Sequence, residues 1–180
     1  RESGLMTSHL FLSPVAAIVI GVVYFDLDVE LPGIQNRAGL FLMATLYHAL
    51  GGLSAVGESV RGAAAAARER DSGLAPPGAS ALAQALIDAV CLRVLPAAMM
   101  APILMWMCDL AARPEACLVT WLCLSLAGIV SASVGRTAWH VTKDAGHANL
   151  VAVMILAICV CFGGLLTRAD SPSSATADVV

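Results

Sequence analysis

The sequence predicts an all-α, polytopic helical membrane protein with five transmembrane helices. Five apolar stretches, each long enough to cross a bilayer, fill most of the 180 residues. Hydrophobic residues make up 59% of the chain and mean hydropathy is +0.83, whereas only 13% of residues are charged, against about 25% in an ordinary soluble domain. The apolar runs are continuous over about 20 residues, the length a helix needs to cross about 30 Å of hydrocarbon, and do not alternate over about ten residues as barrel strands do.

Span one runs from about Ser8 to Leu27. Few basic residues precede it, its apolar run is long, and Val22-Val23-Tyr24-Phe25-Asp26 offers no small-residue cleavage site, so it reads as a retained helix rather than a signal peptide. The acidic connector Asp26 to Gly33, with Pro32 and Gly33 as breakers, separates it from span two, Ala38 to Val60. Arg68-Glu69-Arg70-Asp71-Ser72-Gly73 forms the next polar connector. Span three covers Ser80 to Cys108, and Arg113-Pro114-Glu115 divides it from span four, Ala116 to Val134. Thr142-Lys143-Asp144-Ala145-Gly146 leads to span five, Ala148 to Leu166. From Ala169 onward, Ser-Pro-Ser-Ser-Ala-Thr-Ala has too little apolar area to order itself, and residues 168–180 read as a disordered polar tail.

With the N-terminus inside, the inner segments hold Arg1, Arg61, Arg68, Arg70, Arg136 and Lys143, and the outer ones hold Arg37, Arg113 and Arg168. Six basic residues against three favour this orientation by the positive-inside rule. Five spans then leave the C-terminus outside, which suggests a further helix beyond this sequence; a start on Arg1 rather than Met points the same way.

Chemistry-bearing residues are few. A P-loop needs Gly-Lys-Ser/Thr, and Lys143, the single lysine, lies between Thr142 and Asp144. The chain therefore carries no cofactor or ATPase site of its own. His9, His48, His140 and His147 lack metal-site spacing, and the six cysteines show no Cys-x-x-Cys. Buried thiols are the expectation, with Cys108 and Cys117 flanking a loop they would bridge if geometry allowed. Glu58, Asp88 and the histidines match no known acid, base or nucleophile spacing, which makes an intramembrane enzyme a weak reading.

Arg93 is the sharpest single residue, because a guanidinium near mid-span costs about 2.5–3.5 kcal/mol on insertion scales unless it pairs or reaches water. It either faces a partner helix or cavity, or snorkels along its own stem. Asp88 lies five positions earlier, about 140° around an α-helix, so an ion pair within the helix is not expected and any partner must come from another helix. The simpler reading of Asp88 places it at the inner interface near Gln84. Glycines and small residues (Gly51, Gly52 and Gly57 on span two, Gly128, Ser131 and Ala132 on span four) suit close backbone packing. Pro14, Pro96 and Pro102 interrupt hydrogen-bond ladders and are expected to kink their helices.

Taken in order, Ile20-Gly21-Val22-Val23-Tyr24-Phe25, Gly33-Ile34-Gln35-Asn36-Arg37-Ala38-Gly39, Leu53-Ser54-Ala55-Val56, Arg68-Glu69-Arg70-Asp71-Ser72-Gly73, Asp88 with Arg93-Val94-Leu95-Pro96, and Phe162-Gly163-Gly164-Leu165-Leu166 are collinear with a known pattern. It resembles G-subfamily ATP-binding cassette half-transporters, most closely the branch containing the breast cancer resistance protein, from Arg1 to about Thr167. The resemblance implies that residues 1–167 form most of an ABC-2 type transmembrane domain, five helices of six. It further implies a homo- or heterodimer in the plasma membrane, powered by ATP and Mg on a nucleotide-binding domain in trans or on a longer parent chain. In that family the substrate path runs between two copies beside spans two and five, which here points to Tyr47, Leu50, Leu156 and Ala157, with Arg93 nearby on span three. Leu165 and Leu166 match the paired leucines that gate the outer end. Arg68, Glu69 and Arg70 match a loop that docks on the nucleotide-binding domain; from the residues alone, a solvated charged loop is the simpler reading.

The pattern also departs from the family. An expected glutamate falls on Gly62, expected aromatics after Gly73 are Leu74-Ala75-Pro76-Pro77, an expected proline is Cys91, and the ring that stacks flat substrates in the multidrug branch is Leu50. The substrates of that branch are therefore not carried over. Two functional readings stand: the membrane part of an exporter of lipophilic or amphipathic molecules, or a degenerate, non-transporting subunit or scaffold that assembles with an intact half-transporter.

Overall fold

The computed structural model describes residues 2–25, 31–73, 79–109 and 114–162. Every element in these segments is helical, and five helical units follow one another: α1 (Glu2–Val23), the broken rod α2 (Leu31–Gly52) plus α3 (Ser54–Asp71), a second composite of α4 (Ala79–Asp88), a π-helical turn (Ala89–Val94) and α5 (Leu95–Met107), then α6 (Pro114–Thr142) and α7 (Ala145–Phe162). Asn36–Ala65, Leu82–Met107 and Pro114–Thr142 are long and apolar enough to cross a membrane, and Thr7–Val23 and Ala145–Cys161 are shorter apolar helices.

Helix boundaries differ from the expected spans for local reasons. α1 begins at Glu2 and takes Gly4 into its first turn. α2 begins at Leu31 with Pro32 in its first turn, where the missing N–H costs nothing, so the Gly33–Gly39 stretch is helix and not outer loop. Most consequentially, Arg68, Glu69 and Arg70 are not in a connector. The alanines at 63–67 are the best helix formers available, and they carry α3 unbroken to Asp71. Termination comes only at Gly73, whose φ of 67° is the left-handed conformation typical of a helix end. α6 likewise runs on to Thr142 rather than stopping near Val134, and the expected five-residue connector before α7 shrinks to Lys143 and Asp144.

Packing is built on α6. α2 and α3 lie along it, α7 covers another side, α5 a third, and α1 packs against α5. Close approach depends on the small residues. A Cβ at Gly52 would sit 2.9 Å from the backbone nitrogen of Ala132, and one at Gly135 would sit 3.1 Å from Cγ2 of Val56. Without a hydrophobic drive between helices in lipid, such contacts and interhelical hydrogen bonds hold the bundle. Ser131 Oγ donates to the Ala49 carbonyl across this same crossing. On the other side of the bundle Leu40, Ala44, Met100, Leu104 and Leu124 are buried together with Ala17 of α1, while the outward faces of α1, α6 and α7 expose valines, leucines and isoleucines as a lipid-facing surface would.

The α6–α7 turn is a compact two-residue device. Lys143 adopts φ 57°, ending α6, and Asp144 begins α7. The Asp144 carboxylate accepts the His147 backbone N–H at 3.0 Å and contacts its Nδ1 at 2.5 Å. The backbone hydrogen bond from His147, followed by the side-chain one, holds the Asp144 carboxyl below its usual range. A depressed carboxylate stabilises the folded turn above its ordinary pKa, and that contribution is lost as pH falls through the lowered value. Protection of the His147 amide, its exchange rate relative to the intrinsic rate at the same pH, should therefore fall on acidification below the normal Asp range, and Asp144→Ala should remove that fall.

Candidate functional site

The site grows from one helical irregularity. Between Ala89 and Val94 the chain forms a π-helix, and the Leu95 N–H bonds to the Val90 carbonyl, five residues back. In this wider turn residues five apart share a face. Asp88 and Arg93, which an α-helix would hold about 140° apart, are brought together: Arg93 Nη2 lies 2.9 Å from Asp88 Oδ1. The expectation that this pair does not form within its own helix is thereby overturned. Asp88 is buried within the bundle, 3% exposed.

A second cation reaches the same carboxylate. Arg136 of α6 pairs with Asp88 Oδ2, so each oxygen of Asp88 faces one guanidinium, and the interhelical partner predicted for Asp88 is found as well. Glu58 of α3 adds favourable charge to both arginines. Two acids and two bases thus lie where α3, α6 and the π turn converge, a balance of charge that offsets the burial of Asp88 and Arg93, with Glu58 and Arg136 half-buried.

Arg93, only 1% exposed, also donates to span two from both terminal nitrogens. Nη1 donates to the Gly51 carbonyl at 2.7 Å and Nη2 to Ser54 Oγ at 3.0 Å. Those acceptors exist because the α2 to α3 rod breaks at Leu53: Leu53 and Val56 bond three residues back, to Leu50 and Leu53 respectively, in place of the α-helical ladder. On the far side, Gly128 of α6 admits the Arg93 stem, and a Cβ there would lie 3.3 Å from Arg93 Cδ. Two more side chains brace the irregular segment at its carbonyls. Trp121 Nε1 donates to Val94 O at 3.1 Å, and buried Ser13 donates to Pro96 O at 2.8 Å.

Beside this cluster lies a cavity of about 240 Å³ between α1, α2 and the π turn. His9, His48 and Arg93 form its polar end. Leu12, Leu50 and Pro96 line the rest, with Tyr47 set edge-on to the His48 ring at a centroid distance of 5.4 Å. Three of the path residues named from sequence, Tyr47, Leu50 and Arg93, therefore line one space within a single chain. Leu156 and Ala157 are on α7, which packs on α6 and α3, and do not line it. Leu156 is half-buried and Ala157 exposed. Leu165 and Leu166 lie outside the described residues. Arg68 is exposed near the end of α3, remote from the cavity. Cys108 and Cys117 are both free, the first buried in the core below Leu104, so no bridge closes the loop between them.

Sequence reasoning missed His9, His48, Gly51, Ser54 and Arg136 as members of the site. An arginine stranded in an apolar span was a signal that partners must exist, but the partners carried no spacing of their own to reveal them.

The family model described as ABC-2 type transporter matches residues 1–173. The chain is 25% identical over 174 residues to ABC transporter G family member 24 of Dictyostelium discoideum, a match covering 96% of this chain and 15% of that protein. It is 23% identical over 161 residues to the broad substrate specificity ATP-binding cassette transporter ABCG2 of Mus musculus, covering 89% of this chain and 24% of the relative. The chain thus spans less than a quarter of the length of these relatives.

Removing Asp88 strands the buried Arg93 and the half-buried Arg136, so Asp88→Ala is expected to cost about 3–5 kcal/mol, read as a lowered thermal unfolding midpoint in detergent. In a double-mutant cycle with Arg93→Met the losses should be far from additive. Deleting Val90 should return the π turn to α-helical register. Asp88 and the arginine would then stand four apart, where an α-helix still lets them pair, so the same unfolding assay should show a smaller loss than Asp88→Ala; a loss equal to that of Asp88→Ala would refute the register argument.

Proposed function

Since this chain belongs to the ABC-2 type transporter family, we propose that it forms the substrate-path portion of an ATP-binding cassette exporter of lipophilic or amphipathic small molecules. A nucleotide-binding domain, in trans or on a longer parent chain, supplies the energy from ATP and Mg. Two copies, or this chain and a close relative, assemble in the plasma membrane with the N-terminal side inside. The single observation that carries this reading is the charge cluster of Asp88, Arg93 and Arg136 beside a cavity, within helices apolar enough to cross a membrane. Ionisable groups at that depth are costly and are characteristic of transport pathways.

The assignment of roles follows the same logic. Tyr47, Leu50 and Arg93 border the cavity from which cargo moves toward the second copy. Leu156 and Ala157, half-buried and exposed on α7, contribute the opposite wall once two copies meet, and Leu165 and Leu166 close the outer end as a hydrophobic constriction. Arg68, Glu69 and Arg70, at the end of a continuous α3, provide the docking surface for the nucleotide-binding domain. Because Ser54 at the start of α3 accepts a hydrogen bond from Arg93, the docking end and the charge cluster share one continuous helix. Alternating access then needs only a rigid-body movement of that helix against α6.

Reconstitution of the full-length protein in proteoliposomes tests the proposal. ATP-dependent accumulation of an amphipathic probe is expected, with Glu69→Ala lowering the coupled ATPase while leaving assembly intact. Stable assembly with a nucleotide-binding partner but neither flux nor stimulated ATPase over a broad probe panel would instead assign the chain a scaffold role.

A further inference from the structure

We infer that the cavity between α1, α2 and the π turn is a binding site, complete within one chain, for a monocarboxylate amphiphile, its head at His9, His48 and Arg93 and its apolar body along Leu12, Leu50 and Pro96. The inference names the ligand class of the cavity described above and rests on the transport reading only for the step from binding to flux.

Three features of the polar end point to an anionic head. His48 is 5% exposed, lines the cavity, and its Nε2 has no hydrogen-bond partner among the described residues. The Nε of Arg93, equally buried, likewise finds no acceptor there. A buried polar atom left without a partner costs about 1–3 kcal/mol, so a ligand head that supplies a partner at this end of the cavity recovers part of that cost. The second feature is the placement of charge. Of Asp88, Arg93, Arg136 and Glu58, Arg93 alone lines the cavity, and no acidic side chain does. The carboxylates balance Arg93 from behind, leaving its positive side toward the space where His9 and His48 also feel its charge. A cationic head is repelled there, and a neutral one leaves the field unused. The third is room. A Cβ built at Gly51 meets nothing closer than His9 Cε1 at 3.9 Å and Arg93 Nη1 at 4.0 Å, so the floor of the polar end is backbone.

The rest of the lining sets the other half of the ligand. Leu12 and Leu50 are exposed, placing the apolar end at the outer surface of the chain, where an acyl or aryl body continues into lipid or into the space between copies. Pockets with one convergent polar end and an otherwise apolar wall orient amphiphiles in this way.

The test is saturation binding of radiolabelled octanoate to the full-length protein in phosphatidylcholine nanodiscs, with empty discs subtracted. Octanoate should bind, and octanol and octyltrimethylammonium should displace it at least about tenfold less well. Gly51→Val, which fills the polar end from backbone, should weaken octanoate binding by about tenfold or more, and so should His48→Leu. His9→Leu, a half-buried change at the rim, keeps the test available if either of those fails to fold. Displacement of octanoate by phosphatidylglycerol in the disc would support the same anionic site and assign its occupant to the bilayer. Equal competition by octanol or the ammonium, or wild-type affinity in Gly51→Val and His9→Leu, would overturn the inference. Binding without ATP-dependent flux would leave this site standing and remove the transport reading, whereas flux of other probes without octanoate binding would do the reverse.

Discussion

A guanidinium near the middle of the Leu82–Met107 span is the constraint around which the described structure is arranged. Its charge has to be met inside an environment that offers neither water nor counterions, and the chain meets it with three acceptors on two helical units, Asp88 on its own rod and Gly51 and Ser54 on the second, while Arg136 of α6 shares the Asp88 carboxylate. None of these partners is free to be elsewhere. Asp88 reaches Arg93 only through the π turn, the Ser54 hydroxyl and Gly51 carbonyl face it only at the Leu53 break, and the Arg93 stem fits only beside Gly128. Two backbone irregularities and one close helix crossing are thus consequences of a single buried charge.

The irregularities would be liabilities elsewhere. In hydrocarbon every backbone polar group must be satisfied internally, and widened or broken turns leave carbonyls under-bonded. Here side chains meet them: Trp121 at Val94, Ser13 at Pro96, Arg93 at Gly51. The proline at 96 falls in the first turn of α5, directly after the π turn, where its missing N–H is least costly. The wide turn and the proline therefore occur together, and a cavity forms at the place where the helix is not regular. This is the physical reason that the space borders Arg93 rather than some other stretch of the bundle.

The helical units and their membrane character were legible because they rest on composition and run length, which tertiary contacts do not alter. Helix ends were less so. The Arg68-Glu69-Arg70 stretch looked like a connector because charge usually marks one, yet five preceding alanines and the absence of a breaker before Gly73 outweighed that signal. The Asp88–Arg93 pair was misplaced for a sharper reason: applying 100° per residue presumes an α-helix, and a π turn is not written in any local propensity. It appears where buried charges five apart gain more from meeting than the ladder loses. His48 and Arg136 stayed hidden because a histidine among apolar residues and an arginine near a helix end each have ordinary readings, and only the three-dimensional convergence removes them.

One consequence concerns how tightly the parts of the bundle are tied together. α3 is continuous from Ser54 to Asp71, and at about 1.5 Å per residue a helix of this length spans roughly 27 Å. Its first residue accepts from Arg93, while its flank packs on α6 near Val56 and Gly135. A bend at the Arg68 end has Gly57 and Gly62 as hinge positions, but a displacement along the helix axis cannot be absorbed within a continuous hydrogen-bonded rod. It must appear either at the Leu53 break or at the charge cluster. The Leu53 break is flanked by Gly52 and by the Gly51 carbonyl that Arg93 holds, so movement there pulls on the same guanidinium. The polar end of the cavity is for that reason mechanically the least independent part of the molecule: nothing that moves α3 along its axis can leave His48, Gly51 and Arg93 in the same mutual geometry.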